Sequence, residues 1–595
     1  MIDLLCRLWG HVETKRRWQF AALLALMNLA SFAEILSIGA VLPFLAILTT
    51  PDRVFELPAA QSVIQFFGFT AASQLLKPIT ILFGVAALLA GFLRILLLVA
   101  NTRLTFAVGA DLSFSMYQRM LYQPYAIQVM KNSSELIAGI SSKSVILIYN
   151  IVLPALNLIN AGLLLLFILL ILIWVNPLWA IATFGGFGFI YVVIIYFARN
   201  RLLIDGQRVA SESTQIIKSL QEGLGGIRDV LIDGTQSTYC AIYKKADLAL
   251  RRAQGNSLII SQSPRYGLEA IGLALIAFLA YVLVQDSDGI VKLIPILGAV
   301  GLCAQRLMPV LQQAYWSWAG ILSGQGSLQD TLALLDQPMP EHLQLQSPNP
   351  MEFNREIQLK NVSFRYSEQA PWVLQNLNLQ ITKGSRVGFI GETGCGKSTL
   401  LDIVMGLLEP TRGTIEVDGV ALNQINNRAW QAHIAHVPQA IFLADSSIAE
   451  NIAFGIPKEQ INFDRVIQVA REARIADTIE HWPEQYQTIV GERGVRLSGG
   501  QRQRIGIARA LYKQADVIIF DEATSALDTE TELAVMEAIE GLTSRIHLEE
   551  GENSLTILII AHRLTTLQNC TQIVELGDKG IKRVGSYQDI ALMVA

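Results

Sequence analysis

The sequence predicts two joined folds: an all-α transmembrane domain of six helices with long cytoplasmic helical extensions, then an α/β domain built around a phosphate-binding loop. Three observations predict it. Of the 595 residues, 52% are hydrophobic and only 16% charged, whereas a soluble chain carries about a quarter charged residues. The apolar excess is uneven, with most long uncharged runs lying before residue 330. A glycine-rich octapeptide, Gly391–Ser398, sits between an apolar strand and a helix-forming run. A chain this long also exceeds what one core organises, so at least two domains are expected. The expected boundaries are 1–335 for the membrane domain, 336–350 for a Pro- and Gln-rich linker, and 351–595 for the soluble domain.

Runs of about 20 apolar residues, the length of helix that crosses a hydrocarbon core, locate the spans. The first covers 19–48 and is interrupted only by Glu34; the second covers 78–101 and contains Arg94. From Ser144 to Ala198 there is no Asp, Glu, Lys or Arg over 55 residues. That suits two helices, 147–173 and 178–198, with Asn176-Pro177 as the turn between them. The fifth and sixth spans are expected at 266–284 and 291–316. The connections after spans two and four keep helical periodicity, as in Gln215–Leu224 and Tyr239–Arg251. They read as helices continuing into the cytoplasm, with tips near Gln123-Pro124 and Asp233-Gly234 that could rest on the soluble domain.

Basic residues set the orientation. Lys15, Arg16 and Arg17 precede the first span, and Arg199, Arg201, Arg208, Lys218, Arg228, Lys244, Lys245, Arg251 and Arg252 crowd the segment between spans four and five. The opposite loops hold chiefly Arg53, Lys77 and Lys292. Both termini are therefore expected in the cytoplasm, with the chain in a cell (inner) membrane. Leu57–Phe69 lies outside, either as a short helix on the membrane surface or as an ordinary loop.

Composition excludes several classes. A net charge of −4 gives no sign of nucleic-acid binding. The five cysteines (Cys6, Cys240, Cys303, Cys395, Cys570) are scattered, which suggests neither a disulfide framework nor a zinc site. The first hydrophobic stretch is too long for a secretory signal and ends in no small-residue cleavage site.

The chemistry is concentrated after residue 351. Gly391-Glu392-Thr393-Gly394-Cys395-Gly396-Lys397-Ser398 follows the strand Arg386–Ile390 and opens a helix over Thr399–Leu407. Glycines let successive backbone N–H groups turn toward phosphates, and the helix N-terminus adds its dipole. Lys397 is placed to contact the β- and γ-phosphates of ATP, and the Ser398 hydroxyl to ligate Mg²⁺. A second apolar strand, Val517–Phe520, ends in Asp521-Glu522. Asp521 suits a Mg²⁺ ligand, and Glu522 can polarise the attacking water as general base. An apolar run ending in Asp-Glu is common by itself; its meaning comes from its company.

That company is Leu497-Ser498-Gly499-Gly500-Gln501. With it, the C-terminal domain resembles the nucleotide-binding domain of ABC transporters. The resemblance implies that Tyr366 stacks on adenine, that Gln439 senses Mg²⁺ and the membrane domain, that Ser525-Ala526-Leu527-Asp528 is the D-loop, and that His562 is the switch histidine near the γ-phosphate. It also implies that Ser498, Gly499, Gly500 and Gln501 of one subunit close over ATP held by Gly391–Thr399 of the other. Both half-sites are present in one chain, so a homodimer with two shared ATP sites is expected, with a heterodimer as the alternative. Gly491-Glu492-Arg493-Gly494 resembles the exporter element that touches the cytoplasmic ends of the membrane helices. Six spans fused to this domain resemble the type IV exporter half-transporter.

Cargo is read from charges in the membrane, which cost about 2.5–3.5 kcal/mol each and usually face a cavity or a partner. Arg94, Arg265 and Arg306 could form a receptor for an anionic head group such as a diphosphate, because guanidinium forks match phosphate oxygens. Equally, Arg265 could pair with Glu269 four residues on, and Arg94 with Glu34 of the neighbouring span. The stretches Phe32-Ala33-Glu34 to Leu42-Pro43-Phe44, Pro264-Arg265-Tyr266 with Leu268-Glu269, and Arg306-Leu307-Met308-Pro309 resemble the lipid-linked oligosaccharide flippases of bacterial N-glycosylation, the PglK type. That resemblance implies a polyprenyl-diphosphate-linked glycan as cargo, turned from the cytoplasmic to the outer leaflet within membrane lipids. A multidrug, peptide or lipid A-type exporter and a non-transporting membrane-anchored ATPase are the competing readings.

Overall fold

The structure, a computed structural model, describes residues 1–49, 74, 76–175, 177–284, 307–339, 350–522, 555–561 and 564–594. It divides into two units, Met1–Gln123 with Lys131–Met339, and Pro124–Met130 with Pro340–Ala595. Leu57–Phe69, Arg306, the D-loop and His562 lie outside the described residues.

The first unit is helical. Thr14–Thr49 and Leu76–Leu121 carry the first two spans and pack along one another. Leu153–Val175 and Pro177–Gly225 carry the third and fourth, divided where Asn176-Pro177 predicts a turn. Gln236–Val284 contains the run expected as a fifth span, and of the run expected as a sixth only the stretch from Leu307 is described, within a helix over 307–323. The connections after the second and fourth spans are helix, as their periodicity predicts: one 49-residue helix contains both the fourth span and Gln215–Leu224. Four described helices are long and apolar enough to cross a membrane. Their outward faces carry exposed Leu88, Phe92, Val192 and Phe197. Such an apolar surface is unfavourable in water and suited to lipid, where helices satisfy their own backbone.

Two features depart from the sequence reading. The helix that holds the first span starts at Thr14, and a separate helix that the sequence did not indicate, Ile2–Gly10, precedes it. This helix buries Leu4 and Leu8 in the bundle. Arg7 donates to Asp336, and His11 Nε2 lies 2.8 Å from Asp336 Oδ1. Burial alone would raise the Asp336 pKa, but these bonds outweigh it and hold the carboxyl below its usual range. The third membrane helix is also not uniformly α-helical in its first turns. Gly139–Lys143 and Leu147–Val152 are π-helical, on either side of one α turn. Ile148, in the second of these, presses against Gly109, where any Cβ would collide with it. Lys143, in the first, is buried and pairs with Asp330 at 2.5 Å.

The second unit has a four-stranded antiparallel sheet and a six-stranded, mostly parallel one. β1 (Glu356–Phe364), β2 (Leu374–Thr382), β4 (Arg412–Val417) and β5 (Val420–Ala421) form the first, in the order β2-β1-β4-β5. β3 (Arg386–Gly391), β6 (Ile434–Val437), β7 (Val517–Asp521), β8 (Thr556–Ile560), β9 (Gln572–Leu576) and β10 (Ile581–Gly585) form the second, in the order β10-β9-β3-β8-β7-β6. β3, β7 and β8 are almost wholly buried, which is why they read as unbroken apolar runs rather than alternating ones. Because β3, β8 and β7 run parallel side by side, their carboxyl ends open at one edge of the sheet. Ligands of open α/β sheets bind at that edge. Ala126, in the Pro124–Met130 stretch of this unit, packs on its core.

Candidate nucleotide-binding site

The edge is built by β3 delivering the chain into Gly391–Gly396. Gly391, Gly394 and Gly396 have φ of 148°, 87° and 99°, conformations that residues with a Cβ rarely adopt. The helix that follows spans Lys397–Val404, a correction to the expected Thr399–Leu407. It starts earlier because left-handed Gly396 is its N-cap, and stops earlier because Gly406 (φ 65°) turns the chain away. No side chain caps its N-terminus, so first-turn N–H groups remain for an anion. Cys395 is small enough to sit against Gly391.

The predicted side chains converge on this loop. Lys397 is buried, and its Nζ donates to the carbonyls of Gly391 at 2.8 Å and Glu392 at 3.0 Å. Asp521 ends β7; burial and the charge of Glu522 raise its pKa, against the hydrogen bond from Ser398 and the charge of Lys397. Glu522 takes a left-handed φ of 50°, which turns its side chain out of the strand's alternation. Its N–H donates to Ile560 O at 3.2 Å, and its Oε2 accepts from Gln439 Nε2 at 2.6 Å. Ser398 thus bonds to Asp521, and Gln439 bonds to the adjacent Glu522; hydroxyl, carboxylate and amide oxygens are the hard donors that Mg²⁺ takes. The Tyr366 hydroxyl lies 3.2 Å from the Thr399 hydroxyl. β8 ends two residues before His562, and Ala561 N–H donates to Phe389 O at 3.3 Å, so the chain leaves β8 beside β3.

The signature segment forms as expected. Ser498 caps the helix Gly499–Tyr512 in a reciprocal box: its hydroxyl accepts from Gln501 N–H at 3.2 Å, and its own N–H donates to Gln501 Oε1 at 2.8 Å. That fixes the helix entry and leaves the N–H groups of Gly499 and Gly500 at its mouth. Arg502 donates to Leu497 O at 2.9 Å and to Gly494 O at 3.4 Å, tying the Gly491–Gly494 turn to the signature.

Sequence reasoning missed Asp402, half-buried on the helix after the loop. Burial and the nearby Asp521 push its pKa up to about 6. A carboxyl whose folded pKa is raised contributes stability that is complete below its unfolded value of 3.8 and lost as pH rises through about 6. Asp402→Asn is therefore expected to raise the thermal unfolding midpoint near pH 8, the gain shrinking below about 6 and vanishing in acid. A gain independent of pH would contradict the assignment.

A family profile described as "ABC transporter" matches residues 374–525, which span the loop, the signature and Asp521-Glu522. An "ATP-dependent lipid A-core flippase" of Alkalilimnicola ehrlichii is 32% identical over 419 residues, covering 69% of this chain and 68% of that protein. The chain belongs to the ABC transporter family. Further relatives of this ABC transporter match over shorter stretches. "ATP-binding cassette sub-family B member 5" of Mus musculus is 40% identical over 41% of this chain and 19% of its own length. A lipid A-core flippase of Chromobacterium violaceum is 40% identical over 38% of this chain and 37% of its own. The fold matches a bacterial Atm1-family ABC exporter solved with ATP bound, at TM-score 0.75 and 22% identity, over 98% of this chain and 96% of that one. The chain is thus an ABC exporter half-transporter in fold, a multi-pass membrane protein with an ATP-binding, ATP-hydrolysing domain.

In the membrane unit of this transporter, Arg94 donates to both carboxylate oxygens of Glu34, one at 3.0 Å. Arg265 Nε donates to Glu269 Oε1 at 2.9 Å. The structure forms both ion pairs that the sequence left open. Arg94 and Arg265 remain 42% and 58% exposed, so pairing leaves their outer N–H groups accessible.

Proposed function

We propose that this ABC transporter acts as a homodimer that hydrolyses ATP to flip a glycolipid with an anionic, phosphate-bearing head from the cytoplasmic to the outer leaflet. The observation that carries it is the relative named as a lipid A-core flippase, which is similar across 68% of its length. The finer reading, a polyprenyl-diphosphate-linked oligosaccharide, is supported by the stretches around Glu34, Arg265 and Arg306. Lipid A-type glycolipid is the second reading, favoured by that relative's name. Both termini face the cytoplasm of an inner membrane, where ATP is found. Tyr366 stacks on adenine, and Gly391–Thr399 wraps the phosphates. Glu522 takes the proton of the attacking water, with Gln439 orienting it, and His562 contacts the γ-phosphate. Ser398, Gln439 and Asp521 would hold Mg²⁺, which neutralises phosphate charge when bound. Ser498–Gln501 of the second copy close each site.

Arg94, Arg265 and Arg306 serve as the handle for the head group, with Glu34 and Glu269 keeping two of them oriented in the empty protein. Arg94→Ala, Arg265→Ala and Arg306→Ala in proteoliposomes are expected to lower lipid flipped per ATP hydrolysed by about tenfold or more, a loss of one or two charge-assisted hydrogen bonds. The reading fails if all three variants flip polyprenyl-diphosphate glycan and lipid A-type glycolipid as the parent does. Stimulation of ATP hydrolysis by one of these lipids and not the other assigns the cargo.

A further inference from the structure

The segment that carries Tyr366 is the connection between β1 and β2, and it is held by groups that nucleotide recognition alone does not require. Its ends are clamped where Val373 N–H donates to Phe364 O at 2.9 Å. One residue inside that clamp, the Trp372 ring lies under two guanidiniums, Arg365 at 4.8 Å and Arg412 at 5.3 Å from its centroid. Arg365 immediately precedes Tyr366. Its N–H donates to Thr411 Oγ1 at 3.2 Å, and its guanidinium donates to Glu368 O inside the connection. Arg412 opens β4 and pairs with Ser363 of β1. Trp372 therefore gathers three chain segments beside Tyr366. The same stretch meets the phosphate loop: a Cβ on Gly396 would lie 2.9 Å from Leu374 Cδ2 and 3.2 Å from Val373 Cγ1.

We infer that Trp372, gripped by Arg365 and Arg412, is a positioning residue that holds Tyr366 in place for the adenine ring before nucleotide arrives. The inference rests on the reading of Tyr366 as the adenine-stacking residue. The crossing connection otherwise exposes Ser367, Glu368 and Gln369 to water, and ordering it at the moment of binding would weaken affinity. Two cation–π contacts at a partly exposed ring oppose that disorder. Tyr366 is held from the other side by Thr399 and by the edge of Phe364, 5.0 Å between centroids. Base recognition and phosphate recognition are thereby fixed to one another through residues 372–374.

The test measures equilibrium binding to the full-length dimer in a Glu522→Gln background, with ATP and with inorganic tripolyphosphate, which lacks a base. Trp372→Ala is expected to raise the Kd for ATP about three- to tenfold and to leave that for tripolyphosphate unchanged. Trp372→Phe keeps an aromatic face and recovers most of the loss. Adding Trp372→Ala to Tyr366→Ala gives no further loss, because the two act through one ring. Equal weakening of both ligands, or unchanged ATP affinity in Trp372→Ala while Tyr366→Ala is impaired, overturns the positioning role. If Tyr366→Ala binds ATP as the parent does, the adenine reading itself fails, and the positioning role fails with it.

Discussion

Glu522→Gln is expected to stop ATP turnover while leaving ATP bound, lowering the hydrolysis rate by about 10²–10⁴, the usual contribution of a general base. Glutamine keeps the shape of the side chain and its bond with Gln439, since an amide oxygen accepts from Gln439 Nε2 as the carboxylate does at 2.6 Å. What it loses is the capacity to take a proton. The left-handed backbone at Glu522 (φ 50°) is a conformation glutamine adopts at similar strain. Single-turnover hydrolysis and nucleotide retention on a filter separate the outcomes. Retained nucleotide with no phosphate release is the expected result. Hydrolysis at the parent rate would remove Glu522 as the base, and loss of binding would make it a binding residue instead.

The parts of this site that could be read from the sequence are those whose chemistry needs neighbouring residues. A phosphate cradle needs consecutive backbone N–H groups, so Gly391–Ser398 is a continuous word. Asp521 and Glu522 are adjacent because one strand end must serve both metal and water. The Ser498–Gln501 box is likewise local. Asp402 was hidden because its raised pKa comes first from burial and then from a carboxylate at the end of a strand distant in sequence. The grip on Trp372 was hidden because Arg365 and Arg412 are brought together by the pairing of β1 with β4, a register that no run of sequence spells out.

In the membrane half, uncharged runs located helices well and their ends poorly. Ile2–Gly10 escaped because Asp3 and Arg7 interrupt its apolar pattern, although Leu4 and Leu8 show its buried face. The π-helical turns at Gly139–Lys143 and Leu147–Val152 escaped because one extra residue per turn barely disturbs apolar periodicity. The partners of Arg94 and Arg265 lay within reach on sequence spacing, but spacing could not choose between a carboxylate of the same chain and a phosphate of the cargo.

Lys397→Ala is expected to abolish high-affinity ATP binding, lowering kcat/KM by about 10² or more, because a buried ammonium facing phosphate is worth several kcal/mol. The empty protein already shows what is removed. Lys397 Nζ holds the carbonyls of Gly391 and Glu392, and alanine leaves both without that donor and the loop without its charge. Paired with a signature variant, this substitution also tests how the sites are shared. Ser498→Arg fills the mouth of the signature helix and is expected to be as inactive as Lys397→Ala when each is made as a homodimer. Mixed dimers of the two variants distinguish the arrangements. If each site combines the phosphate loop of one chain with the signature of the other, one site in the mixed dimer carries both defects and the second carries none. That dimer then binds one ATP with parent affinity. If each chain builds its own site, every site in the mixture is defective and no affinity returns. Recovery of one tight site per mixed dimer is the expected result, and its absence would dissolve the shared-site homodimer on which transport by this half-transporter depends.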